Sequence, residues 1–453
     1  MLLKAALNPS APARTAFVGA GGKTTAMAHL SRELPPPVVV TATTHLALSQ
    51  VKLGDRWREA RSPQDVDEAL RGMADVLWLT GPAGADERTA GLAGAALERL
   101  RQQAEDAGLP ILIEADGARR LPLKAPAAHE PALPPWVEQV VVVAGLSGLD
   151  RPLSPETVHR PERFGELAGL AMGERVTVDA LARALAHPEG GLKAIPPSAR
   201  RVALLNQADT PERQAQARSL ARHLLPAFSR VVVACLEPGG VAGPVDASQS
   251  AGPVLAVYMP VAGIVLAAGE SSRFGQPKQL LDWCGQPLVR RAAETALSAG
   301  LAPVVVVTGA HGAEVQRALE GLPVTLAHNP DWAAGQSTSL IQGLRALPET
   351  AGAAVFLLAD QPFVSERLLE ALIETHCQTL APVIAPLVDG RRANPLLFDR
   401  ATFPGLLALQ GDVGGRAVAA HYPITYLEWL DRRLAEDIDT PEDYRRLLED
   451  AGG

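Results

Sequence analysis

The feature that most constrains this chain is a sustained alternation of short β-branched runs with longer helical stretches. That rhythm is the βαβ pattern of a mostly parallel sheet covered by helices. In the first half, Thr15–Val18, Val38–Thr41, Val76–Leu79, Ile111–Glu114, Val140–Val143, Val202–Leu205 and Val231–Ala234 read as strands. Helices are expected over Thr24–Glu33, Asp86–Ala107, Val176–Ala186 and Pro211–Leu225. No short-period repeat is visible, which argues against a solenoid or propeller.

The rhythm breaks over Glu237–Pro260, a stretch rich in Gly, Pro, Ala and Ser, and restarts at Val261. A chain of 453 residues exceeds what one core usually organises. The reading is therefore a first domain over 1–240, a linker over 241–260 and a second domain over 261–453. A formal net charge of −8 without a basic block argues against nucleic-acid binding. No apolar run approaches the roughly 20 residues needed to span a bilayer, so no membrane partner is expected. The short apolar start with one lysine does not read as a secretory signal, and the three scattered cysteines form no disulfide framework or metal motif. The expectation is a cytoplasmic α/β protein. Lysine occurs only at positions 4, 23, 52, 124, 193 and 278, arginine supplying the other basic residues. Since lysine is a compact point charge and arginine a planar fork, each lysine invites inspection.

Thr15–Thr25 reads TAFVGAGGKTT: a strand, a glycine turn, then Lys-Thr-Thr opening a helix. Gly19, Gly21 and Gly22 let backbone amides converge on a phosphate, and the helix N-terminus adds its dipole. Lys23 would reach the β/γ oxygens, Thr24 would ligate Mg²⁺, and Thr25 completes the loop. The strict phosphate-loop pattern wants glycine six residues before the lysine, where Phe17 stands, so the run is closer to the GGxGKTT loops of dimeric ATPases. ILIEADG places Glu114 and Asp116 at a strand end, where an acid sits near Mg²⁺ in such enzymes; Asp116 is the expected site residue. LLNQAD offers Asn206 to brace the loop and Asp209 to accept from a guanine edge, with Gln207 where lysine is expected. A strand-end turn accounts for the same residues, so ATP and GTP both stay open.

Val261–Leu281 reads VAGIVLAAGESSRFGQPKQLL. Here an apolar strand runs into Leu266, Ala267, Ala268 and Gly269, whose small side chains let amides approach a nucleotide. Ser271 and Ser272 follow in the loop, and Arg273 and Lys278 supply charge for a triphosphate whose pyrophosphate leaves. VFLLADQP puts Asp360 at the tip of an apolar strand, placed to hold Mg²⁺ or Mn²⁺. From AEDIDTPEDY, Asp439 is the expected second carboxylate on the metal; Thr440-Pro441 reads as helix capping. Gly335, Ser337 and Ser339 precede or open a helix and could bind the incoming phosphate, although capping explains the serines equally. Asn329 is assigned to the nucleotide and Asn394, on a loop at the same sheet edge, to the acceptor.

The first half resembles the YqeC family, described as accessory proteins of selenium-dependent molybdenum hydroxylases. The matching runs are GAGGKTT, TATTHL (Thr41–Leu46), EADGARRLPLKAPAAHEP (Glu114–Pro131), GLSGLDRPL (Gly145–Leu153) and VHRPERF. His45, His129 and His159 lie in these runs singly, which fits loop or capping roles better than metal ligation. The second half resembles the MobA-like nucleotidyltransferases, and within them the MocA branch of molybdenum cofactor cytidylyltransferases. Besides the opening loop, GAHGAEV, NPDWAAGQSTSL, LADQPFV, RRANPLLF, GDVGGR and DIDTPEDY follow in that family's order. Ala359 and Ala393 stand where glycine is frequent, and Phe274 where methionine is commoner.

These resemblances imply an α/β fold class with two three-layer domains and mostly parallel sheets. The first would be P-loop NTPase-like, the second a Rossmann-like nucleotidyltransferase. They imply CTP as co-substrate, since 267–269 reads AAG and not AGG, and molybdopterin or the molybdenum cofactor as acceptor. An apo molybdenum hydroxylase is the implied partner. Two alternatives remain: a nucleotidyltransferase acting on a sugar or alditol phosphate, and a nucleotide-switched chaperone that inserts finished cofactor.

Overall fold

The computed structural model describes residues 1–8, 13–237, 252–271 and 274–452, which form two compact units, Met1–Tyr258 and Met259–Gly453. Ser272, Arg273 and the 241–251 part of the expected linker lie outside the described residues.

In the first unit a nine-stranded sheet is built from β1 (Arg14–Gly19), β2 (Val38–Ala42), β3 (Arg56–Glu59), β4 (Val76–Thr80), β5 (Ile111–Glu114), β6 (Gln139–Gly145), β7 (Arg200–Asn206), β8 (Arg230–Ala234) and β9 (Val254–Tyr258). Its order is β9-β8-β7-β6-β1-β5-β2-β4-β3, parallel throughout except for β9. The central strands β2, β4, β5 and β6 are buried along their whole length, as β-branched runs covered on both faces must be. Two expectations change here. The region read as linker ends in β9, antiparallel to β8, so the first unit extends to Tyr258; the apolar run VLAVY carries the strand despite the Gly/Pro/Ser-rich residues before it. The helix expected from Asp86 starts at Gly94, because Arg88–Thr89 pairs with Leu46–Ala47 and Gly91 packs directly on the Thr43 backbone.

In the second unit the sheet contains β10 (Val261–Ala267), β11 (Val304–Thr308), β12 (Thr325–His328), β13 (Ala353–Leu358), β14 (Val383–Val388), β15 (Arg391–Arg392), β16 (Leu396–Asp399) and β17 (Ile424–Glu428). The order is β12-β11-β10-β13-β16-β14-β15, with β17 parallel to β14. The sheet is mostly parallel, as expected, with two reversed strands: β16 runs antiparallel between β13 and β14, and the short β15 antiparallel to β14. Residues of β10 alternate between two cores, Val261, Val265 and Ala267 facing one and Ala262 and Ile264 the other. The chain leaves β10 for β11 and β12 on one side and returns to β13 on the other. The carboxyl ends of β10 and β13 therefore flank a topological switch point, the place where open α/β sheets bind ligands. A smaller core of Phe274, Leu281, Trp283, Leu288, Ile438 and Leu447 ties the segment after β10 to the C-terminal helix Pro441–Gly452.

Candidate functional sites

At the switch point of the second unit, a cleft of about 750 Å³ is lined by Leu266, Ala267, Ala268, Gly269, Ser271, Lys278, Gly335, Ser339 and Asp360 among others. The residues expected from the β10 loop and the acid after β13 thus share one surface. The loop is held from beneath by Gln279, which is buried; its amide donates to the carbonyls of Gly269 (3.0 Å) and Ala267 (3.4 Å). The Ser271 hydroxyl accepts from the Lys278 amide at 3.0 Å and donates to Gln279 at 3.3 Å. Those bonds fix where the Lys278 side chain leaves the loop. Its ammonium meets the Asp439 carboxylate at 2.8 Å.

Asp360 follows β13 at the rim. Burial, then the negative charge of Asp437, push its carboxyl up to about 6, against the opposing pull of Lys278. Asp437 is absent from the residues expected on sequence grounds. It is held at 2.6 Å by the Gln361 amide, next to Asp360 in the chain. Ile438 is fully buried in the small core, and the acids flanking it belong to the residues around Asp360 and Lys278. The signal lies in DIDT, an apolar residue between two acids.

The expected acceptor-side residues divide. Gly335 has φ +119°, and a Cβ there would stand 2.6 Å from the Gly411 backbone, so only glycine fits before the helix Gln336–Arg345. Ser337 is buried and donates to the Gly411 carbonyl at 2.6 Å, which makes it a brace between loops. Asn329 is likewise buried, donating to Thr338 (2.8 Å) and Ser339 (2.9 Å), and does not line the cleft. Asn394 does not line it either. It lies two residues before Leu396, which pairs with Phe356 of β13, so it belongs to the same sheet edge.

In the first unit a cavity of about 970 Å³ opens over the carboxyl ends of the central strands, lined by Gly21, Gly22, Lys23, Thr24, Thr25, Glu114, Asn206 and Asp209 among others. Gly21 sits at φ +84°, where a Cβ would strike the Gly145 backbone at 2.3 Å. The acid that meets Thr24 is Glu114, accepting from its hydroxyl at 2.8 Å; Gln50 donates to the same hydroxyl at 2.5 Å. Asp116, the acid expected from sequence, lies beneath the loop. It accepts from the Gly19 amide (3.0 Å) and faces Lys23 (3.2 Å) and Lys124 (2.8 Å). Lys23 also donates to the Gly19 carbonyl at 2.7 Å. Lys124 continues the chain of charges to Glu130 (2.8 Å), which Arg160 contacts at 2.9 Å. Burial would lower Lys23, but the charges of Asp116 and Glu114 outweigh it and raise it. Burial also raises Glu114, beyond what Lys23 takes back. For Glu130 burial loses to Lys124 and Arg160, and its carboxyl falls to about 2. His159 is pushed down to about 4, by burial and then by Arg160 and Lys124. Asn206 donates to the Gly21 carbonyl at 2.9 Å and accepts from the Leu236 amide at 2.9 Å, the expected brace. Asp209 is half exposed and paired with Arg213.

A divalent cation can be tested against these residues. Among the described residues no group of three or more His, Cys, Asp or Glu is arranged to hold a metal ion unaided. Magnesium sites on nucleotides need less, taking one or two carboxylates and the phosphates themselves. A raised Asp360 beside Asp437, with Asp439 near, is a donor set short of positive charge, and it fits such an ion.

A strand, a small-residue loop bearing a lysine, and an acid after the adjoining strand meet at a switch point, an arrangement suited to nucleotidyl transfer. The family described as a MobA-like NTP transferase domain matches residues 263–425, and that described as YqeC protein matches residues 15–162. The chain therefore belongs to both, a YqeC-family domain fused to a MobA-like NTP-transferase domain. The nicotine blue oxidoreductase of Paenarthrobacter nicotinovorans is 32% identical over 198 residues, 42% of this chain and 96% of that protein. The uncharacterized protein YqeC of Escherichia coli (strain K12) is 32% identical over 202 residues, 43% of this chain and 76% of its own length. The crystal structure of Rv0371c from Mycobacterium tuberculosis H37Rv is 29% identical, spanning 42% of this chain and 99% of that one, with a TM-score of 0.38. Among the described residues no helix is long and apolar enough to cross a membrane.

Proposed function

We propose that the second domain transfers CMP from CTP to the terminal phosphate of molybdopterin, with or without its molybdenum, and releases pyrophosphate. The observation that carries this reading is the convergence of the Ala267–Gly269 loop, Lys278 and Asp360 on one cleft. A phosphate oxygen of the acceptor attacks the α-phosphorus in line. The bond from that phosphorus to the bridging oxygen breaks, and pyrophosphate leaves with the electron pair. An acceptor already ionised needs no strong general base, so the protein's work is positioning and charge neutralisation. Lys278 would neutralise the triphosphate, and Arg273 is the second cation that the sequence assigns to that role. Asp360 and Asp439 would hold Mg²⁺ or Mn²⁺, which supplies further positive charge on the departing phosphates. Gly335 and the helix it precedes face the incoming phosphate. Asn394 is the pterin contact, and the backbone of Leu266 to Gly269, with Ser271 and Ser272, receives the nucleotide.

The first domain, in the same reading, binds ATP or GTP through Gly19, Gly21, Gly22, Lys23, Thr24 and Thr25 in the manner of a P-loop. Asp116 sets the loop from below, and Asn206 and Asp209 stand at its far side. The fused pair would serve maturation of a molybdenum hydroxylase. A sugar or alditol phosphate is the second acceptor to consider, because Lys278 and Asp360 act on the triphosphate and leave the acceptor unspecified.

Pyrophosphate release by the purified chain, with Mg²⁺, molybdopterin and each NTP in turn, tests the reading. Release confined to CTP, dependent on molybdopterin and lost in Lys278→Ala, is the expected result. Release with sugar phosphates alone would transfer the reading to the second acceptor. Tight cofactor binding with no release from any NTP would favour an insertion chaperone.

A further inference from the structure

Between Asp116 and β6, residues Ala118–Leu121 make a tight turn in which the Leu121 amide donates to the Ala118 carbonyl at 3.0 Å. Both central residues are left-handed, Arg119 at φ +50° and Arg120 at φ +63°. Turns of that kind are normally written Asn-Gly, because a Cβ is strained there. Two arginines at those positions set local preference aside, and such departures concentrate at functional sites. The turn is joined to the glycine loop directly: the Gly21 amide donates to the Leu121 carbonyl at 3.1 Å. Both arginines are exposed and line the 970 Å³ cavity with Gly21–Thr25. Neither guanidinium forms a hydrogen bond or ion pair with a described residue. The cavity's other cations are committed, Lys23 to Asp116, Arg213 to Asp209 and Arg88 to the His45 carbonyl.

We propose that Arg119 and Arg120 clamp the terminal phosphate of a nucleoside triphosphate held by the glycine loop, making the first domain selective for the triphosphate over the diphosphate. This rests on the nucleotide reading given above. A guanidinium fork matches the oxygens of a phosphate, and the charge the turn adds is charge that a diphosphate would not use. Anchoring through Leu121 to Gly21 holds the fork at the loop on which the phosphates would lie.

The test is equilibrium binding of Mg²⁺-ATP, Mg²⁺-ADP, Mg²⁺-GTP and Mg²⁺-GDP to the full chain. First-domain binding is the part that Lys23→Ala removes. The double variant Arg119→Ala/Arg120→Ala is expected to weaken triphosphate binding about tenfold or more while leaving the diphosphate unchanged. Unchanged diphosphate binding and unchanged pyrophosphate release by the second domain show that the variant is folded. Equal loss for both nucleotides, or for neither, would overturn the clamp and leave the nucleotide reading intact. An absence of any Lys23-dependent binding would overturn that reading and the clamp with it.

Discussion

The two domains meet the same problem, a lysine on a small-residue loop at a sheet edge, with opposite electrostatic solutions. Around Lys23 the cations Lys23, Lys124 and Arg160 alternate with Glu114, Asp116 and Glu130, and most of these groups are buried. Around Lys278, among the described residues, one ammonium stands against Asp360, Asp437 and Asp439, and Asp439 is largely exposed. The network beneath the first loop balances three cations against three carboxylates, while among the described residues around Lys278 the carboxylates outnumber the ammonium. A buried charge set that closes on itself contributes to the integrity of its domain. One left open lowers stability and is poised for a cation.

The largest expected effect tests the closed network. Lys124→Ala leaves Asp116 and Glu130 without the ammonium both face, and loss of one member of a buried ion set costs about 3–5 kcal/mol. Calorimetry of the full chain should show the first domain's transition lowered accordingly, with the second unmoved. A loss under about 1 kcal/mol would mean that water already shares those charges, and the contrast between the sites would fall.

Next in size is Lys278→Ala. The pairing of Lys278 with an exposed Asp439 is worth little to the fold, about 1 kcal/mol or less. Under the proposed function its charge on the triphosphate is worth much more, since removing one preorganised stabilising group costs about 10²–10³ in rate. Pyrophosphate release should therefore collapse while the thermal transition stays in place. A large drop in stability alongside it would put Lys278 in the class of Lys124.

The scarcity of lysine marks both sites in the sequence itself. With six lysines in the chain, those at 23, 124 and 278 all lie in motifs, and all three are charge partners of carboxylates at the loops. Strands are legible because fully buried β-branched runs have no other use. Three things are not legible. The strand Val254–Tyr258 follows residues whose composition says linker, and pairing with Arg230–Ala234 overrides it. The reversal of β16 is a property of topology, invisible to periodicity. The choice between Glu114 and Asp116 depends on which face of a strand end each acid meets. Spacing puts both near Thr24; only the fold turns Glu114 to the hydroxyl and Asp116 to Gly19 and Lys124. Asn329 and Ser337 show the same limit, since polar residues in a glycine-rich loop look alike whether they bind a ligand or each other.

The pH dependence of the two sites should differ in sign. Asp360 has its carboxyl raised from about 3.8 to about 6, so folding favours its protonated form. Its ionisation costs nothing below its unfolded pKa and its full amount above about 6, on the order of 3 kcal/mol. Asp360→Asn should then be more stable than the parent at pH 8 without divalent cation, the advantage fading toward pH 4, while pyrophosphate release is lost. Glu130 is the reverse, lowered from 4.5 to about 2 by Lys124 and Arg160 against the effect of burial. Its contribution is complete above pH 4.5 and disappears as pH falls through about 2. Denaturation followed across pH for the parent, Asp360→Asn and Glu130→Gln checks both. An Asp360→Asn variant that is less stable at pH 8 would place a compensating cation in the second site and erase the contrast.

The smallest effect concerns base choice in the first domain. Reading a guanine edge requires a free carboxylate on a loop braced at the right height. Asn206 supplies the brace, with its amide on the Gly21 carbonyl and its oxygen on the Leu236 amide. Asp209 is half exposed and faces Arg213 one helical turn away, so its carboxylate is already engaged by a cation rather than aimed at a base. Taking Asp209 from Arg213 to a guanine would exchange one partly solvated interaction for another, a balance of about 0.5 kcal/mol. Lys23-dependent binding of Mg²⁺-GDP and Mg²⁺-ADP should accordingly agree within about threefold, and Asp209→Asn should leave the ratio unchanged. A guanine preference of about a hundredfold, abolished in Asp209→Asn, would show that Arg213 releases the acid on binding. The first site would then resemble the second, in holding a carboxylate ready for a ligand.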